Sequence, residues 1–431
     1  MRILFFSSIY PRPYKPNLGI YCYHLCNALA GGGNDVRVVS PRSWLERGSL
    51  DPAGAAQSLP GLANLPTDYP RYFYTPGVLR SSYAAFMWAS VARPLRRVIA
   101  DFRPDCLLSY WAHPDGAVAV RAAGEAKIPS AVMVGGSDVL LLARKAGARR
   151  RKIIDVLDRA GAVVAVSRHM RDQLVEYGIP AEKVHVVYRG IDGGVFHPGD
   201  ADKAAARRRL GIETEGKALV AVGNIVPVKG LDVLLESVAR LKSRGVTFRL
   251  YLVGAGASRP ALEAQAATLG IAGAVRFVGA VPQRQLPDWY RAADLTVLPS
   301  RSEGIPNVLR ESAACGTPWV ATRVGGIHEI AGDPANRLVP AEDPTALADA
   351  IEASLASGAS LEEGRSRTGT WAESAQNLVE VLGGLQRRTS SSGTPEQAMG
   401  QGFTGTTIPD PKSERPPVVE TAGASSPRGS A

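Results

Sequence analysis

Short apolar runs alternate with helical patterns along the first half of the chain. The apolar runs are rich in Val, Leu and Phe and predict strands: RILFFSS, DVRVVS, DCLLSYW, SAVMVGG, GAVVAVS and KVHVVYRG. The segments between them, such as YCYHLCNALAGGG and RHMRDQLVEYG, repeat apolar residues at helical spacing. Alternating strands and helices form a parallel sheet with helices on its faces, so we predict a doubly wound α/β domain.

The same alternation begins again in the second half. KALVAVGN, FRLYLVGAG, VRFVGAV, LTVLPS and PWVATRV predict strands, and GLDVLLESVARLKSRG, PALEAQAATLG and NVLRESAACG predict helices. The Gly, Pro and Asp residues of GIDGGVFHPGDAD mark a boundary between the halves. We therefore predict an N-terminal domain over residues 1–196 and a C-terminal domain over residues 197–387, closed by the helix TWAESAQNLVEVLGGLQ. The polar, Pro-rich residues 388–431 predict a disordered tail.

Doubly wound sheets bind ligands at the carboxyl ends of their strands, so the chemistry is expected in a cleft between the two domains. The stretch PSRSEGIPNVLRE fits that location: a strand ends, a loop carries Glu303, Pro306 starts a helix and Glu311 lies within it. Backbone N–H groups from Ile305 to Leu309 would then face the cleft. A helix N-terminus attracts an anion, such as phosphate.

The two glutamates have two interpretations. A carboxylate beside a phosphate site would bind neutral hydroxyl groups, as a sugar offers. Alternatively, Glu303 is only a charge at a helix N-terminus. Glu311 would then form a surface ion pair with Arg310 or Arg301. The spacing of the two glutamates alone favours neither interpretation.

Three further stretches place ligand-binding features at strand ends. Lys229, followed by Gly230, stands between a predicted strand and a helix and offers a cation to a phosphate group. Gly254 lies in a turn after another strand, although tight turns need glycine in any case. In the first half, Gly19 begins a helix where the missing side chain would let a ligand approach the backbone. Each signal is weak alone, and their order along the chain is the stronger evidence.

Composition limits the class of protein. The 431 residues are 45% apolar and 21% charged, which is typical of a globular protein. Neither a run of roughly 18 apolar residues nor a signal-peptide pattern occurs, which predicts a cytoplasmic protein. The cysteines lack metal-site spacing and are predicted to be reduced and packed: Cys22, Cys26, Cys106 and Cys315.

The positive charge is concentrated in the first half. Residues 1–196 hold 25 Lys and Arg against 15 Asp and Glu, and the rest of the chain is neutral. Two basic segments, RPLRRVIADFR and ARKAGARRRK, accompany Phe86, Met87 and Trp88. Solvated helix faces would explain this charge, and so would peripheral binding to the anionic inner face of a membrane or to an anionic substrate. Nucleic acid is not an expected partner, because no binding motif accompanies the charge.

One continuous stretch resembles a known family. EGIPNVLRESAACGTPWVATRVGGIHEIA is similar to the signature of the retaining GT-B glycosyltransferases of family 4, in which two Glu separated by seven residues precede Gly-Gly-x-x-Glu. VSRHMRDQLVEYGIPAEKVHVVYRGIDGGVFHP resembles the link between the two domains of that family. The resemblance covers residues 1–387 and implies the GT-B fold, in which two tandem Rossmann-like domains face a cleft.

The resemblance also implies roles for single residues. Glu311 would bind the ribose of a nucleotide, Glu303 would lie at the donor sugar as a catalytic residue, and Lys229 would bind the diphosphate and stabilise its charge. Gly19 would border the diphosphate from the other domain. The remaining donor-binding residues lie in the same motifs: Asn224, Gly254, Ile305, Pro306, Asn307, Val308 and Leu309.

The chain departs from the family pattern at two positions. Asn224 stands where the family usually has Arg, so half of the expected diphosphate clamp is neutral unless another cation, such as Arg301, compensates. Gly135 stands where many relatives carry His, which leaves Asp138 as the polar catalytic candidate there, although Gly-Ser-Asp also describes a helix N-cap. His113 is the acceptor-side candidate, although a lone His before Pro is more often structural.

The resemblance implies a hexosyltransferase that moves a sugar from a UDP- or GDP-sugar to a glycan or lipid-linked acceptor, with retention of configuration, in cell-surface or exopolysaccharide synthesis. The acceptor hydroxyl would attack from the side that the nucleotide leaves, while Lys229 and helix N-termini neutralise the diphosphate. No metal and no cofactor are therefore expected. Three alternatives stay open: a sugar-nucleotide epimerase of the same architecture, a catalytically silent nucleotide-sugar-binding protein and, third, a nucleic-acid binder that uses the basic first half.

Overall fold

The computed structural model describes residues 1–16, 18–50, 65–136, 138–139, 143, 147–199, 203–213, 215–358, 361 and 369–391. All of them belong to one compact unit, Met1–Ser391. The predicted tail lies outside the described residues, apart from its first four positions. In the described part of the chain, none of the helices has the length and apolar character that crossing a membrane requires.

The first half of the chain builds a seven-stranded sheet. Its strands and helices are β1 (Arg2–Phe6), α1 (Ile20–Gly31), β2 (Asp35–Val39), β3 (Arg42–Ser43), β4 (Thr67–Asp68), β5 (Arg71–Tyr72), α2 (Tyr83–Phe102), β6 (Cys106–Tyr110), α3 (Ala117–Ala126), β7 (Ser130–Met133), α4 (Ala148–Arg159), β8 (Ala162–Ala165), α5 (Arg168–Glu176) and β9 (Val184–Val186). The strand order is β4-β2-β1-β6-β7-β8-β9, and every pair is parallel. The short strands β3 and β5 pair separately.

The second half builds a six-stranded sheet. Its elements are α6 (Lys203–Leu210), β10 (Lys217–Val222), α7 (Leu231–Ser243), β11 (Phe248–Val253), α8 (Arg259–Thr268), β12 (Val275–Gly279), α9 (Leu286–Ala292), β13 (Leu295–Leu298), α10 (Asn307–Ala314), β14 (Trp319–Thr322), β15 (Arg337–Val339), α11 (Pro344–Ser357) and α12 (Trp371–Ser391). The strand order is β12-β11-β10-β13-β14-β15, again with parallel pairs.

Both sheets reverse their strand order at one point, as doubly wound sheets do. The reversal lies between β1 and β6 in the first sheet and between β10 and β13 in the second. Ligands bind at the carboxyl ends of the strands beside such a point. The predicted fold class, two Rossmann-like parallel-sheet domains, is confirmed, because each predicted strand run lies on one of these strands. The domain boundary after residue 196 stays a prediction.

The last helix corrects one expectation about the domains. We expected α12 to close the C-terminal domain, but it packs against the first sheet. Its buried Leu378 and Leu382 share a core with Phe5 of β1 and with Leu25 and Leu29 of α1. A helix with an apolar stripe packs wherever it removes most apolar surface from water, and the stripe alone does not indicate on which sheet.

Helix α2 corrects another expectation, about the membrane. Met87 and Trp88 are buried in the core between α2 and the first sheet, with 0% and 9% of their surface exposed. Arg96 lies over the Trp88 ring and pairs with Glu125 at 2.8 Å. Met87 and Trp88 therefore face the protein interior, where they contact no bilayer, whereas Phe86 is only partly buried and its ring lies 5.9 Å from that of Phe73.

Candidate active site

The loop after β13 brings together two residues that the sequence predicts for the site. Glu303 Oε1 accepts a hydrogen bond from Lys229 Nζ at 2.6 Å and another from Ser300 Oγ at 2.7 Å. Both charged side chains stay partly exposed, Lys229 at 22% and Glu303 at 13%. The result is an ion pair at the carboxyl edge of the second sheet that a ligand is able to reach.

Close backbone packing delivers Lys229 to this place. Gly230 follows it in the left-handed region, with φ of 61°, and a side chain there would overlap the carbonyl oxygen of Pro299. Arg301 N–H donates to the Val228 carbonyl at 2.8 Å, which ties the same two loops together. Only glycine fits between these loops, so Gly230 fixes the distance between Lys229 and Glu303.

Three other predicted donor-site residues lie on strand-end turns. Gly254 has φ of 150°, and a side chain there would overlap the Gly223 carbonyl, so the loops after β10 and β11 contact each other at this point. Gly19 has φ of 63° at the N-cap of α1, and a side chain there would overlap the Ile9 carbonyl. Asn224 is exposed. The two glycines are thus required by the packing of the protein's own backbone.

Helix α10 begins directly behind the ion pair. Its N-cap, Pro306, supplies no side-chain hydrogen bond, and the first turn is formed by Asn307, Val308 and Leu309. The first N–H groups of a helix have no partner within the helix. Proline has no N–H group, so Pro306 contributes no donor to the N–H groups that we expected to face the cleft between Ile305 and Leu309. The start of α10 is therefore an electropositive N-terminus without a side-chain cap, four residues after the Glu303 that pairs with Lys229.

Glu311 is buried one turn further along α10. It is 8% exposed and accepts a hydrogen bond from the Tyr290 hydroxyl at 2.8 Å. Burial raises the pKa of Glu311 to about 7, although Tyr290 and Arg310 act to lower it. The alternative of a surface ion pair for this residue is therefore wrong.

Arg301, the cation expected to compensate for Asn224, is already paired with two carboxylates. Its guanidinium group pairs with Asp232 at 2.7 Å and with Glu342 at 2.6 Å. These hydrogen bonds raise the pKa of Arg301. Two carboxylates would have to release this guanidinium group before it bound a diphosphate, so compensation for Asn224 by Arg301 stays a prediction.

Loops of the first half contact the candidate site from the opposite side. A side chain added at Gly304 would lie 3.3 Å from Met170 and 3.4 Å from Val166, and Gly136 faces the Gly304 backbone. Glu329 forms a second link, since it accepts hydrogen bonds from the N–H groups of His169 at 2.9 Å and Arg168 at 3.0 Å. The sequence motif that contains Glu329 gave no sign that it caps a helix of the other half.

Asp138 is fully buried, and its carboxylate is occupied by backbone. Its two oxygens accept hydrogen bonds from four N–H groups, those of Ala112 (3.2 Å), Gly135 (2.9 Å), Gly136 (3.0 Å) and Val139 (3.1 Å). Burial raises the pKa of Asp138 despite these bonds. The carboxylate therefore organises the loop after β7, the loop that faces Gly304.

Gly135 is required by two aromatic side chains. A Cβ atom at this position would overlap the Tyr110 hydroxyl and would lie 2.6 Å from Trp111 Nε1. The Tyr110 hydroxyl in turn accepts a hydrogen bond from Arg189 at 3.0 Å. Glycine in place of His thus fits this position, because the side chains of Tyr110 and Trp111 fill the space that a side chain would take.

His113 lies apart from the charged pair, in a pocket between α2, α3 and α4. It is 2% exposed and lines a pocket of about 210 Å³ together with Trp88, Arg121 and Lys152. Burial and the charges of Arg149 and Lys152 lower the pKa of His113 to about 4, so the ring is neutral at pH 7. The structure does not bring His113 to Glu303 or Lys229.

Asp115 is a polar residue at the first sheet's edge that sequence reasoning missed. It is 1% exposed, and its Oδ1 accepts a hydrogen bond from Ser8 N–H at the end of β1. Its Oδ2 has no partner, and burial raises the pKa of the carboxyl group to about 6. Its position after a predicted strand, two residues beyond His113, was an available signal.

Two family models match the chain. The model for Glycosyltransferase Family 4 matches residues 18–193, and the model for Glycosyl transferases group 1 matches residues 216–357. The first match contains the loops of Asp138 and Gly135, and the second contains Lys229, Glu303 and Glu311. The chain belongs to this glycosyltransferase family. The resemblance inferred from the Glu-rich signature is thereby confirmed.

Named relatives of this chain differ in how much they share with it. It is 38% identical over 249 residues to the D-inositol 3-phosphate glycosyltransferase of Thermobispora bispora, a match that takes in 53% of this chain and 56% of the relative. It is 27% identical over 363 residues to TuaC of Bacillus subtilis, named as a teichuronic acid biosynthesis glycosyltransferase, with 81% and 88% coverage. The matches to the inositol-phosphate relatives therefore span only about half of those proteins.

Solved structures share the fold of this chain. Anabaena HepE, solved in complex with UDP, superimposes with a TM-score of 0.64 at 20% identity, over 91% of this chain and 99% of HepE. Sucrose-phosphate synthase of Thermosynechococcus elongatus gives a TM-score of 0.68 at 19% identity, over 91% and 98% of the two chains. At 19–20% sequence identity, this similarity shows only that the fold, with its two sheets, is shared.

Proposed function

We propose that this protein is a retaining hexosyltransferase that moves a sugar from a nucleotide-sugar donor to a glycan acceptor. The observation that supports this most is the Lys229–Glu303 pair at the uncapped start of α10, with Glu311 buried in the same helix. These groups offer a cation from the loop after β10, and N–H donors and two carboxylates from the loop after β13 and its helix α10. Such a set suits a diphosphate that is flanked by two sugars.

In this proposal the donor lies along α10. Its diphosphate faces the helix N-terminus and Lys229, because both carry positive charge and are partly open to solvent. Glu311 accepts hydrogen bonds from the ribose hydroxyls, and the Tyr290 hydroxyl holds its carboxylate in place. Glu303 lies nearest to the donor sugar. We propose a UDP-sugar as donor, since HepE was solved in complexes with UDP and with UDP-glucose.

The reaction then needs charge stabilisation more than covalent chemistry. The acceptor oxygen bonds to the anomeric carbon while the bond from that carbon to the diphosphate oxygen breaks. The acceptor proton passes to an oxygen of the departing diphosphate, on the same face of the sugar, so the configuration is retained. Lys229 and the N–H groups of α10 stabilise the negative charge that develops on the leaving group. No metal or cofactor takes part in this scheme.

We assign the acceptor side to the first domain, residues 1–196, and the donor side to the second. Asp138 acts there as a positioning residue, since its carboxylate is already bound by four N–H groups of the loop that faces Gly304. His113 remains a proposed acceptor contact, and Asp115 joins it because one of its oxygens lacks a partner. The names of the relatives, which mention D-inositol 3-phosphate and teichuronic acid biosynthesis, favour a sugar phosphate or a glycan as acceptor. We place the reaction in the cytoplasm.

A catalytically silent nucleotide-sugar-binding protein is the second candidate. Asn224 is exposed and neutral where the family usually has a cation, and Arg301 is held by two carboxylates. Less stabilisation of the leaving diphosphate would slow the transfer, even though the donor still binds.

Transfer assays with a panel of UDP- and GDP-sugars distinguish these functions. Each donor is first tested for binding by its effect on the melting temperature, since a ligand bound to the folded state stabilises it. Donors that bind are then incubated with inositol phosphates and with glycan acceptors, and NMR of the product gives the anomeric configuration. Sugar transfer with retention supports the proposal. Donor binding without transfer would favour the silent protein, and interconversion of the donor without acceptor would favour an epimerase.

A further inference from the structure

A small lobe extends the first sheet beyond the carboxyl ends of its strands. After β2 and β4 end, the chain continues into β3 and β5, which pair with each other in parallel through Arg42 with Arg71 and Ser43 with Tyr72. We call the described residues 42–50 and 71–86 the β3–β5 lobe. The lobe therefore stands at the edge of the first sheet where ligands of doubly wound domains bind.

The lobe carries most of the large apolar side chains that the described residues expose. Seven such side chains are exposed, and five belong to the lobe: Trp44 (45%), Leu45 (47%), Phe73 (47%), Val78 (61%) and Leu79 (60%). The other two, Val175 and Tyr188, lie outside it. Single exposed apolar residues are normal on a protein surface, but a group of five in one place marks a binding surface.

Ring contacts join Trp44 and Phe73 of the lobe, and hydrogen bonds order the turn that carries Val78. The ring of Phe73 lies 5.5 Å from that of Trp44 and 5.9 Å from that of Phe86. Thr75 Oγ1 donates a hydrogen bond to the Val78 carbonyl at 2.9 Å, and the Tyr83 hydroxyl donates to the Thr75 carbonyl at 2.8 Å. We call Val78 and Leu79 the apolar tip of the lobe. These hydrogen bonds connect the turn that carries the tip to Tyr83 at the start of α2.

The charge of the lobe is positive. Its arginines are Arg42, Arg47, Arg71 and Arg80, and its one carboxylate is Glu46. Glu46 is already paired with Arg12 at 2.7 Å and with Lys15 at 2.9 Å, from outside the lobe. Among the residues that the structure describes, the lobe arginines form no ion pair. An apolar tip with unpaired cations around it is complementary to a surface that is apolar inside and anionic at its boundary.

We propose that the β3–β5 lobe docks this protein on an anionic lipid bilayer. Val78 and Leu79 enter the boundary between headgroups and acyl chains, and Arg47, Arg71 and Arg80 face lipid phosphates. A bilayer meets both requirements of the lobe over its whole area, whereas a protein partner would need an apolar groove and matched carboxylates. The membrane contact predicted at Met87 and Trp88 thus moves to the turn before α2.

Docking by the lobe stands apart from the proposed function. It needs only the exposed side chains and their charge. If the protein is also a glycosyltransferase, the lobe would hold the acceptor edge of the first sheet against the membrane, so that an acceptor attached to lipid reaches the cleft. That second statement rests on the proposed function, and the experiment treats the two separately.

Vesicle sedimentation with the full chain tests the docking. Vesicles of phosphatidylcholine alone are compared with vesicles that also contain phosphatidylglycerol, at low and at high salt. The tip variant carries Val78→Ser and Leu79→Ser, and the charge variant carries Arg71→Gln and Arg80→Gln. Val175→Ser is the matched control, because it removes an exposed valine from α5, outside the lobe.

We expect the wild type to bind the anionic vesicles and to be released by high salt. The tip variant should bind about tenfold more weakly, because two aliphatic side chains no longer leave water. Each arginine removed should weaken binding at low salt by about fivefold. The Val175→Ser protein should bind like the wild type.

Several outcomes would overturn the proposal. It is wrong if the tip variant binds as the wild type does, if neutral and anionic vesicles bind equally, or if nothing binds. Loss of a dimer in the tip variant, without vesicle binding by the wild type, would instead make the lobe an interface between copies. UDP binding, measured by calorimetry without vesicles, should be the same in all variants. Absence of UDP binding would count against the proposed function and leave the docking result unchanged.

Discussion

The carboxyl edges of the two sheets carry similar residue types in different states. At the second edge, Lys229 and Glu303 pair with each other and remain partly exposed. At the first edge, Asp138 is fully buried and its oxygens are occupied by the protein's own backbone. The charged groups of Lys229 and Glu303 are therefore accessible to a ligand, whereas the carboxylate of Asp138 stabilises the conformation of a loop.

This difference teaches how to interpret a carboxylate in a strand-end motif. A buried carboxylate that binds N–H groups stabilises a loop, and its removal should affect folding. A carboxylate paired with a partly exposed lysine is able to exchange that partner for a ligand, and its removal should affect binding or turnover. Substitutions at the two edges should therefore give different phenotypes.

The largest effect is expected at the second edge. Lys229→Met should lower kcat/KM for the donor by about 100- to 1,000-fold, because a preorganised cation at the leaving group is lost. The melting temperature should change little, since Lys229 is partly exposed. Steady-state kinetics and thermal unfolding measure the two quantities. Lys242→Met, at the end of α7, is the matched control, and equal losses in both variants would contradict the comparison.

At the first edge we expect a loss of stability instead. Asp138→Ala should lower the free energy of unfolding by about 3 kcal/mol, because buried N–H groups lose their acceptor. The protein that remains folded should bind nucleoside diphosphate normally. Urea unfolding and calorimetry test this, with the exposed Asp172→Ala as control. A stable Asp138→Ala protein with no activity would show that Asp138 acts in catalysis, contrary to the role assigned here.

The two glutamates of the second edge should themselves differ. Glu311→Ala should raise the dissociation constant for the nucleoside diphosphate by about 10- to 100-fold, because hydrogen bonds to a charged group are lost. Glu303→Ala should leave this constant nearly unchanged and lower kcat with the intact donor. Calorimetry and kinetics on proteins of equal melting temperature separate the effects. Wild-type behaviour of both variants would remove the main support for the donor site.

The smallest effect concerns pH. The folded-state pKa of Glu311 is about 7, above its ordinary value of 4.5, so the folded protein binds the extra proton. Stability from this group is complete below the ordinary pKa and is lost as the pH rises through the folded pKa. Between about pH 6 and about pH 8, the wild type should lose about 1 kcal/mol more than Glu311→Gln. The measurement is the free energy of unfolding in urea at each pH. If it changes with pH in the same way in the wild type and in Glu311→Gln, the pKa of Glu311 is not raised.

Much of the candidate site was predictable because it lies in one continuous stretch. Glu303, the start of α10 and Glu311 follow a strand within thirteen residues, so local patterns place them correctly. Asp115, Tyr290 and Glu329 were missed for a common reason. Each acts through a partner far along the chain, as Glu329 does through N–H groups 160 and 161 residues away. No local pattern indicates such a partner.

The sequence by itself determined the two series of strands and helices, the family and the donor motif. These features follow from the spacing of apolar residues, which sets the type of each element, and from residues that are neighbours in the chain. The tertiary structure decided which apolar faces are buried: it placed α12 on the first sheet, turned Met87 and Trp88 inward and left Val78 and Leu79 exposed. It also paired Lys229 with Glu303 across 74 residues. Burial depends on all packed elements together, so one segment's pattern shows that a face is apolar but not what covers it.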